Sequence, residues 1–117
     1  MKIEPGLYLY DEKKQEVYML NIRKEQNETS LTVYLEGKLD TITAPEFEAA
    51  IKDSIEGVTE LVFDMEKLEY ITSAGLRVLL SAQKTMNDQG TMIVKNVNED
   101  INDVFEVTGF SDFLNIE

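Results

Sequence analysis

The N-terminal third of the chain alternates between apolar and polar positions in the way that is typical of β-strands. Residues 7–10 and 17–22 are rich in strand-favouring residues, and the second run continues to about Lys24. The polar stretch between the two runs favours a hairpin. After a predicted turn at residues 25–29, residues 30–37 alternate with a period of two, as expected for a half-buried strand.

Helix-type and strand-type patterns alternate in the rest of the chain. Thr43 and Glu46 fit a capping box ahead of a helix that Gly57 ends. The elements predicted after it are a strand over residues 60–65, a helix over 73–88, a strand over 91–94 and a short helix that Asn98 caps and that stops near Gly109. Strands joined through helices favour right-handed crossovers, so the chain is predicted to be α/β with a mixed sheet of about four or five strands.

Composition narrows the class of protein. The 117 residues, of which 43% are hydrophobic, suit one globular domain with one core. No apolar run approaches the roughly 20 residues needed to cross a bilayer. Residues 1–5 lack the long apolar core of a signal peptide. The sequence therefore predicts a cytoplasmic protein without membrane insertion.

Charge and residue types exclude several kinds of chemistry. Cysteine and histidine are absent, which removes thiol nucleophiles, the Ser-His-Asp triad and the usual zinc ligands. No cofactor or metal is expected. With 11 basic and 23 acidic residues, the net charge of −12 argues against direct binding to nucleic acid. Such an acidic surface either favours a basic protein partner or serves solubility alone.

The hydroxyl groups of Thr72 and Ser73 lie where a strand is predicted to turn into a helix. A helix start offers free backbone N–H groups and the positive end of the helix dipole, which together suit a phosphate. Ser73 is therefore a phosphoacceptor or a helix cap, and Thr72 is predicted to be the cap. Arg77, four residues after Ser73, is a partner for such a phosphate or an ordinary solvated arginine. Gly75 indicates close approach of another backbone, either internal or in a partner.

Two aspartates follow apolar stretches and are predicted to lie at one edge of the sheet near Ser73. As a pair, Asp40 and Asp64 could bind a metal, act as acid and base, or cap turns. Ser73 could be a nucleophile with either aspartate as its base, but aspartate is a weak base toward a serine hydroxyl. The Gly-x-Ser-x-Gly elbow is also absent. The sequence therefore does not favour an enzyme.

Several of these segments together resemble the STAS domain, the fold of anti-sigma-factor antagonists. The matching segments are LEGKLDT at residues 35–41, FD at 63–64, ITSAGLRVLL at 71–80, NVN at 96–98 and VTGF at 107–110. The resemblance implies a mixed sheet with helices packed mainly on one face. It assigns residues 19–117 to the STAS domain and leaves residues 1–18 as an N-terminal extension, which is an extra hairpin, an edge-covering segment or a dimer contact.

The resemblance also implies a phosphorylation switch. In the family, an anti-sigma factor that is also a serine protein kinase binds the unphosphorylated antagonist and releases its sigma factor. Phosphorylation of a serine at the start of the second helix ends the binding, and a metal-dependent serine phosphatase restores it. That serine falls on Ser73 here, with Thr72 as a less favoured site. The implied partner-binding residues are Asp40, Thr41, Asp64, Thr72, Ser73, Ala74, Gly75, Leu76 and Arg77.

A second function is also compatible with the resemblance. Some STAS domains are permanent accessory subunits of transporters or of other assemblies and are not phosphorylated. The apolar residues Leu76 and Leu80 of the second helix could then form a permanent contact. Modification of Ser73 in the native cells discriminates between the two functions.

Overall fold

The computed structural model describes residues 2–11 and 16–117, with side chains described from Leu20 onward. The polar stretch 12–15, which is predicted to join the first two strands, lies outside the described residues. The elements are β1 (Lys2–Asp11), β2 (Glu16–Asn27), β3 (Ser30–Leu39), α1 (Ala44–Ser54), β4 (Glu60–Ile71), α2 (Ser73–Gln89), β5 (Thr91–Lys95), α3 (Glu99–Thr108) and a short 3₁₀ helix (Phe110–Asp112). Across these described ranges, none of the helices has both the length and the apolar character that a membrane span requires.

The strands form one mixed sheet in the order β1-β2-β3-β4-β5. The pairs β1–β2 and β2–β3 are antiparallel, whereas β3–β4 and β4–β5 are parallel. Each parallel pair is joined through a helix, α1 or α2, as a parallel connection requires. The predicted α/β fold with a mixed sheet of four or five strands is therefore confirmed.

The core lies on one face of the sheet, between the strands and the helices. On β3, Leu31, Val33 and Leu35 are buried, whereas the alternate residues are only partly covered. Phe47 of α1 packs edge-to-face against Phe63 of β4, with ring centroids 5.6 Å apart. All three α-helices contribute residues to the same core cluster. The predicted packing of the helices mainly on one face is confirmed, and the other face of the sheet carries polar and half-buried residues.

β4 is longer than predicted. The prediction ended the strand too early because the buried residues of its second half are irregularly spaced. β4 continues beyond residue 65 to Ile71, and its later buried residues, Leu68 and Ile71, are three apart. That spacing does not indicate a strand in the sequence. Two register shifts in the β3–β4 ladder insert an extra residue each into β4 and bring these side chains back to the core. The extra length positions the start of α2 beside the end of β3.

The predicted turn at residues 25–29 is also shorter in the structure. β2 continues to Asn27, which pairs with Ser30 of β3, so that only two residues connect the strands. Glu28 adopts a left-handed conformation there, with φ of 57°. β3 likewise continues to Leu39, into the loop predicted at residues 38–42.

The two outer edges of the sheet differ. On β5, Val94 forms a parallel bridge with Ile116. The Val94 N–H donates to the Asn115 carbonyl, and the Glu117 N–H donates to the Val94 carbonyl, both at 2.9 Å. Residues 115–117 therefore cover the outer edge of β5 near the C-terminal end of that strand. β1 forms the opposite edge, and no strand among the described residues pairs with its outer side.

Candidate functional site

The candidate site lies where β3 and β4 end, at the edge of the sheet from which α1 and α2 begin. Leu39 and Ile71 pair as the last residues of the β3–β4 ladder. One residue further, the Thr72 N–H donates to the Leu39 carbonyl at 2.9 Å. This bond holds the β3–α1 turn beside the β4–α2 turn. Crevices at the carboxyl ends of parallel strands are where α/β sheets commonly carry their sites.

Asp40 organises the β3–α1 turn. Its Oδ1 accepts from the N–H groups of Ile42 at 2.9 Å and Thr43 at 3.0 Å, and its own carbonyl accepts from the Ala44 N–H at 2.8 Å. This is the turn-capping role that sequence reasoning offered as one alternative for Asp40. The carboxylate thus fixes the backbone on which Thr41 and Ile42 lie exposed.

The capping box predicted at Thr43 is wrong. Thr43 has helical backbone angles and makes no side-chain cap bond to α1. Its buried hydroxyl instead donates to the Lys38 carbonyl and accepts from the Asp40 N–H, both at 2.9 Å. The side chain of Thr43 therefore ties the turn to the end of β3 and does not cap α1.

Ser73 is the first residue of α2, a helix of 17 residues, and its side chain is exposed. The first N–H groups of a helix have no acceptor within the helix, and the helix dipole places partial positive charge there. Arg77 lies exposed one helical turn later, on the same side of α2. A phosphate on Ser73 would therefore lie among groups that favour negative charge.

Thr72 differs from the prediction made for it. It occupies the cap position of α2, but its hydroxyl forms no cap bond. Its Oγ1 is buried and has no hydrogen-bond partner. A hydroxyl with no exposed surface cannot be reached by a kinase active site in this conformation. The structure therefore separates the two adjacent hydroxyls and leaves Ser73 as the accessible one.

Gly75 and Leu76 face inward. A Cβ atom on Gly75 would lie 2.6 Å from Leu39 Cγ and 3.0 Å from Ile71 Cγ1, so the close approach at Gly75 is internal packing, but it is made by side chains and not by the backbone that was predicted. Leu76 is only 3% exposed. Neither residue offers surface to a partner, and direct contact through them is not compatible with this structure. The permanent contact suggested for Leu76 fails for the same reason, and Leu80 is half-buried.

Asp64 is not brought to Ser73, which corrects the predicted pairing of the two aspartates. Asp64 pairs with Tyr34, five residues and about 16 Å of strand before the end of β3. Its Oδ1 accepts from the Glu66 N–H at 3.0 Å and from Asn96 Nδ2 at 3.1 Å. Asp64 therefore holds a bulge of β4 and the start of the β5–α3 loop, and it is not a base for Ser73.

Two exposed apolar residues near Ser73 were missed by sequence reasoning. Ile42 is 57% exposed in the turn that Asp40 organises, and Tyr70 is 52% exposed on β4, three residues before Ser73. Tyr70 pairs with Lys38, next to the last pair of the β3–β4 ladder. The sequence carries no signal that separates Tyr70 from Ile71, the buried residue that follows it in β4. Ala74 lies partly exposed between Ser73 and the core.

The sequence of this chain matches a known protein family and is similar to those of named relatives. The family model of the STAS domain matches residues 21–117. BtrV of Bordetella bronchiseptica, which is named as an anti-sigma factor antagonist, is 33% identical over 82 residues, covering 68% of this chain and 71% of its own. The anti-sigma-B factor antagonist of Bacillus subtilis is 26% identical over 98 residues, covering 83% of this chain and 90% of its own.

Solved structures show the same fold. An anti-sigma factor antagonist from Mycobacterium paratuberculosis aligns with a TM-score of 0.76 at 21% identity, over 83% of this chain and 84% of that chain. The phosphorylated form of SpoIIAA, a Bacillus cell fate determinant, aligns with a TM-score of 0.65 at 20% identity, over 82% of this chain and 90% of that chain.

Proposed function

Because the chain belongs to the STAS domain family and its relatives are anti-sigma factor antagonists, we propose that it is itself a cytoplasmic anti-sigma factor antagonist switched at Ser73. In the unphosphorylated state it binds an anti-sigma factor that is also a serine protein kinase, and the sigma factor is released. Phosphorylation of Ser73 ends this binding, and a metal-dependent serine phosphatase restores it. The protein acts through binding and not through catalysis.

The observation that carries this proposal is the exposed hydroxyl of Ser73 at the start of α2. The neighbouring Thr72 hydroxyl is buried, so one accessible acceptor stands at this point of the helix. The proposal draws further support from the phosphorylated form of SpoIIAA, which shares this fold.

The mechanism is electrostatic. A phosphate on Ser73 adds about −1.5 to −2 charges at neutral pH. The chain already carries a net charge of −12, so a partner that accommodates a neutral hydroxyl at this point meets a dianion in its place. Bringing a charged phosphate out of water into a pocket without a matching cation costs several kcal/mol. Loss of binding therefore needs no large conformational change.

The first test is phosphosite mapping by mass spectrometry on protein from the native cells, in growth and under stress. A phosphate on Ser73 whose occupancy changes with condition is the expected result. Constant absence of the modification would instead favour a permanent accessory subunit, and co-purification with a transport ATPase would identify its assembly.

The second test compares two variants for binding to the purified kinase that modifies Ser73. Ser73→Ala removes the acceptor and is expected to bind like the unphosphorylated protein, whereas Ser73→Asp carries negative charge and is expected to bind at least about ten-fold more weakly. Isothermal titration calorimetry measures both affinities. Equal affinities for the two variants would rule out the electrostatic switch.

A further inference from the structure

β1 leaves one edge of the sheet without a partner strand among the described residues. It runs over ten residues, Lys2–Asp11, and pairs with β2 alone. The opposite edge strand, β5, is covered by residues 115–117. Alternate residues of an antiparallel edge strand direct their N–H and C=O groups away from the sheet, where another strand can pair with them. The family match begins at residue 21, so β1 lies outside it.

Only the first half of β1 carries features that hinder further strand pairing. Lys2 places a charge on the edge, Pro5 has no N–H to donate, and the ladder with β2 shifts register just after Glu4. The second half, residues 7–11, pairs with β2 without interruption. Its sequence is LYLYD, which has no charge before the last residue and contains two tyrosines, a type that favours strands. This half is therefore an unprotected edge that is open to another strand.

The part of the chain that contains this edge is electrically neutral. Residues 1–27, which include β1 and β2, have five basic and five acidic residues, whereas residues 28–117 have six basic and eighteen acidic ones. Two copies that meet through β1 bring their neutral segments together and keep the acidic remainder of each chain farther from the contact. A basic partner would be attracted to the acidic remainder instead. The charge distribution therefore favours a second copy of this chain at the β1 edge.

We propose that β1 is a homodimer interface, at which two copies of this chain pair antiparallel through residues 7–11. The two-fold axis is perpendicular to the sheet and passes through Leu9, so that Leu9 lies opposite its own symmetry mate and Tyr8 lies opposite Tyr10 of the second copy. This register uses only the unprotected half of β1 and leaves Pro5 outside the new ladder. The two five-stranded sheets then form one sheet of ten strands, with the helices of both copies on the same face.

Pairing through β1 leaves the candidate site open. Ser73 begins α2 directly after β4, and β2 and β3 lie between β4 and the β1 edge. Three strand spacings of about 4.8 Å place β4 roughly 14 Å from β1. Each dimer therefore presents two Ser73 surfaces. Dimerisation does not require modification of Ser73, so its test is independent of the function proposed above.

The new ladder is short, so we expect a weak dimer that salt strengthens. Small interfaces are typical of weak association, and a dissociation constant of about 10–100 µM is expected. Each chain carries a net charge of −12, and salt screens the repulsion between the two copies. The affinity is therefore expected to rise about three-fold or more between about 50 mM and about 500 mM sodium chloride. An interface held by opposite charges would weaken instead.

Sedimentation equilibrium of the full chain, over about 5–500 µM, measures the dimer constant. Leu9→Lys places two like charges opposite each other at the axis and is expected to weaken the dimer at least about ten-fold. Thr91→Lys is the matched control, because it adds the same charge at an exposed position of β5, and it is expected to stay within about two-fold of the parent. Circular dichroism checks that both variants are folded.

Two results of this experiment would overturn the proposal. A parent protein that stays monomeric over the whole range would refute the homodimer and leave the β1 edge to a strand of another protein. Equal weakening by Leu9→Lys and Thr91→Lys would show that total charge, and not pairing through β1, controls association.

Because the chain has no cysteine, crosslinking provides a second test that decides the matter even if Leu9→Lys does not fold. Leu9→Cys is expected to form a disulfide with its symmetry mate under mild oxidation, since residues directly opposite each other have Cβ atoms about 4.5–5.5 Å apart. Thr91→Cys is expected to stay uncrosslinked at the same concentration. Non-reducing gel electrophoresis measures both. Equal crosslinking of the two variants would indicate random collision and refute this register.

Discussion

At the scale of single residues, the structure gives adjacent side chains of the same chemical type opposite roles. Ser73 and Thr72 both carry hydroxyls at the start of α2, but only that of Ser73 is accessible. The sequence identifies the start of α2 and therefore Ser73 as the candidate phosphoacceptor. It does not reveal which hydroxyl is buried, because burial depends on how distant segments pack in the assembled fold.

Replacing Thr72 changes the free energy of unfolding in opposite directions depending on whether its hydroxyl caps α2 or is buried without a partner. If its hydroxyl capped α2, Thr72→Val would cost about 1 kcal/mol. Because Oγ1 is buried without a partner, removing it instead relieves a desolvation cost, and the free energy of unfolding is expected to rise by about 1 kcal/mol. Urea denaturation measures the difference. A clear loss of stability would establish the cap that the structure lacks.

At the scale of elements, helical periodicity predicts the helices well because each buries one stripe of side chains. Phe47, Ala50 and Ile51 of α1 are buried as their spacing predicts. The ends of elements are less predictable. At α3 the local signal holds, since Asn98 caps as expected, whereas at α1 the side chain of Thr43 makes no cap bond and contacts the end of β3 instead.

Asn98 does more than cap α3, which makes its replacement costly. Its Oδ1 accepts from the Ile101 N–H at 2.8 Å, and its Nδ2 donates to the Leu68 carbonyl at 3.0 Å. Asn98→Ala loses both bonds and is expected to lower the free energy of unfolding by about 2 kcal/mol. Asn102→Ala on the same helix is the control, because Asn102 makes only a 3.4 Å side-chain contact with Glu106, and its change is expected within about 0.5 kcal/mol. Chemical denaturation that gives equal changes for the two variants would contradict this assignment.

At the candidate site, too, local sequence predicts some features, whereas others depend on segments that are distant in sequence. The segment at residues 71–80, which matches the family, locates Ser73 from local sequence alone. Asp64 was misplaced because β4 continues by two bulges and carries the start of α2 away from it. Ile42 and Tyr70 were missed because exposure is a property of the assembled turns and not of their sequence neighbours.

At the scale of the whole molecule, the sheet carries its helices on one face and has two unlike edges. The mixed topology follows from the order of patterns along the chain. The protection of β5 does not, because Ile116 carries no strand pattern of its own and forms only an isolated bridge with Val94. Such coverage limits the unpaired backbone that an edge strand offers to other chains.

Removal of residues 115–117 tests this protection. Two backbone hydrogen bonds to Val94 are lost, so the free energy of unfolding is expected to fall by about 1–3 kcal/mol. The uncovered β5 edge is also expected to increase concentration-dependent association, which sedimentation velocity measures. Ile116→Ala keeps the backbone bonds and is expected to remain like the parent in sedimentation. Association that is unchanged in the truncated protein would show that the bridge does not protect the edge.

The hydrogen bond between the Thr72 N–H and the Leu39 carbonyl has a consequence for what a modifying enzyme can recognise. It joins segments that are separated by more than thirty positions along the chain, so the surface around Ser73 exists only in the assembled fold. A short synthetic peptide containing Ser73 would carry the linear sequence without the conformational epitope. The proposed phosphorylation would then be reserved for correctly folded molecules, and nascent or damaged chains would not consume the signal.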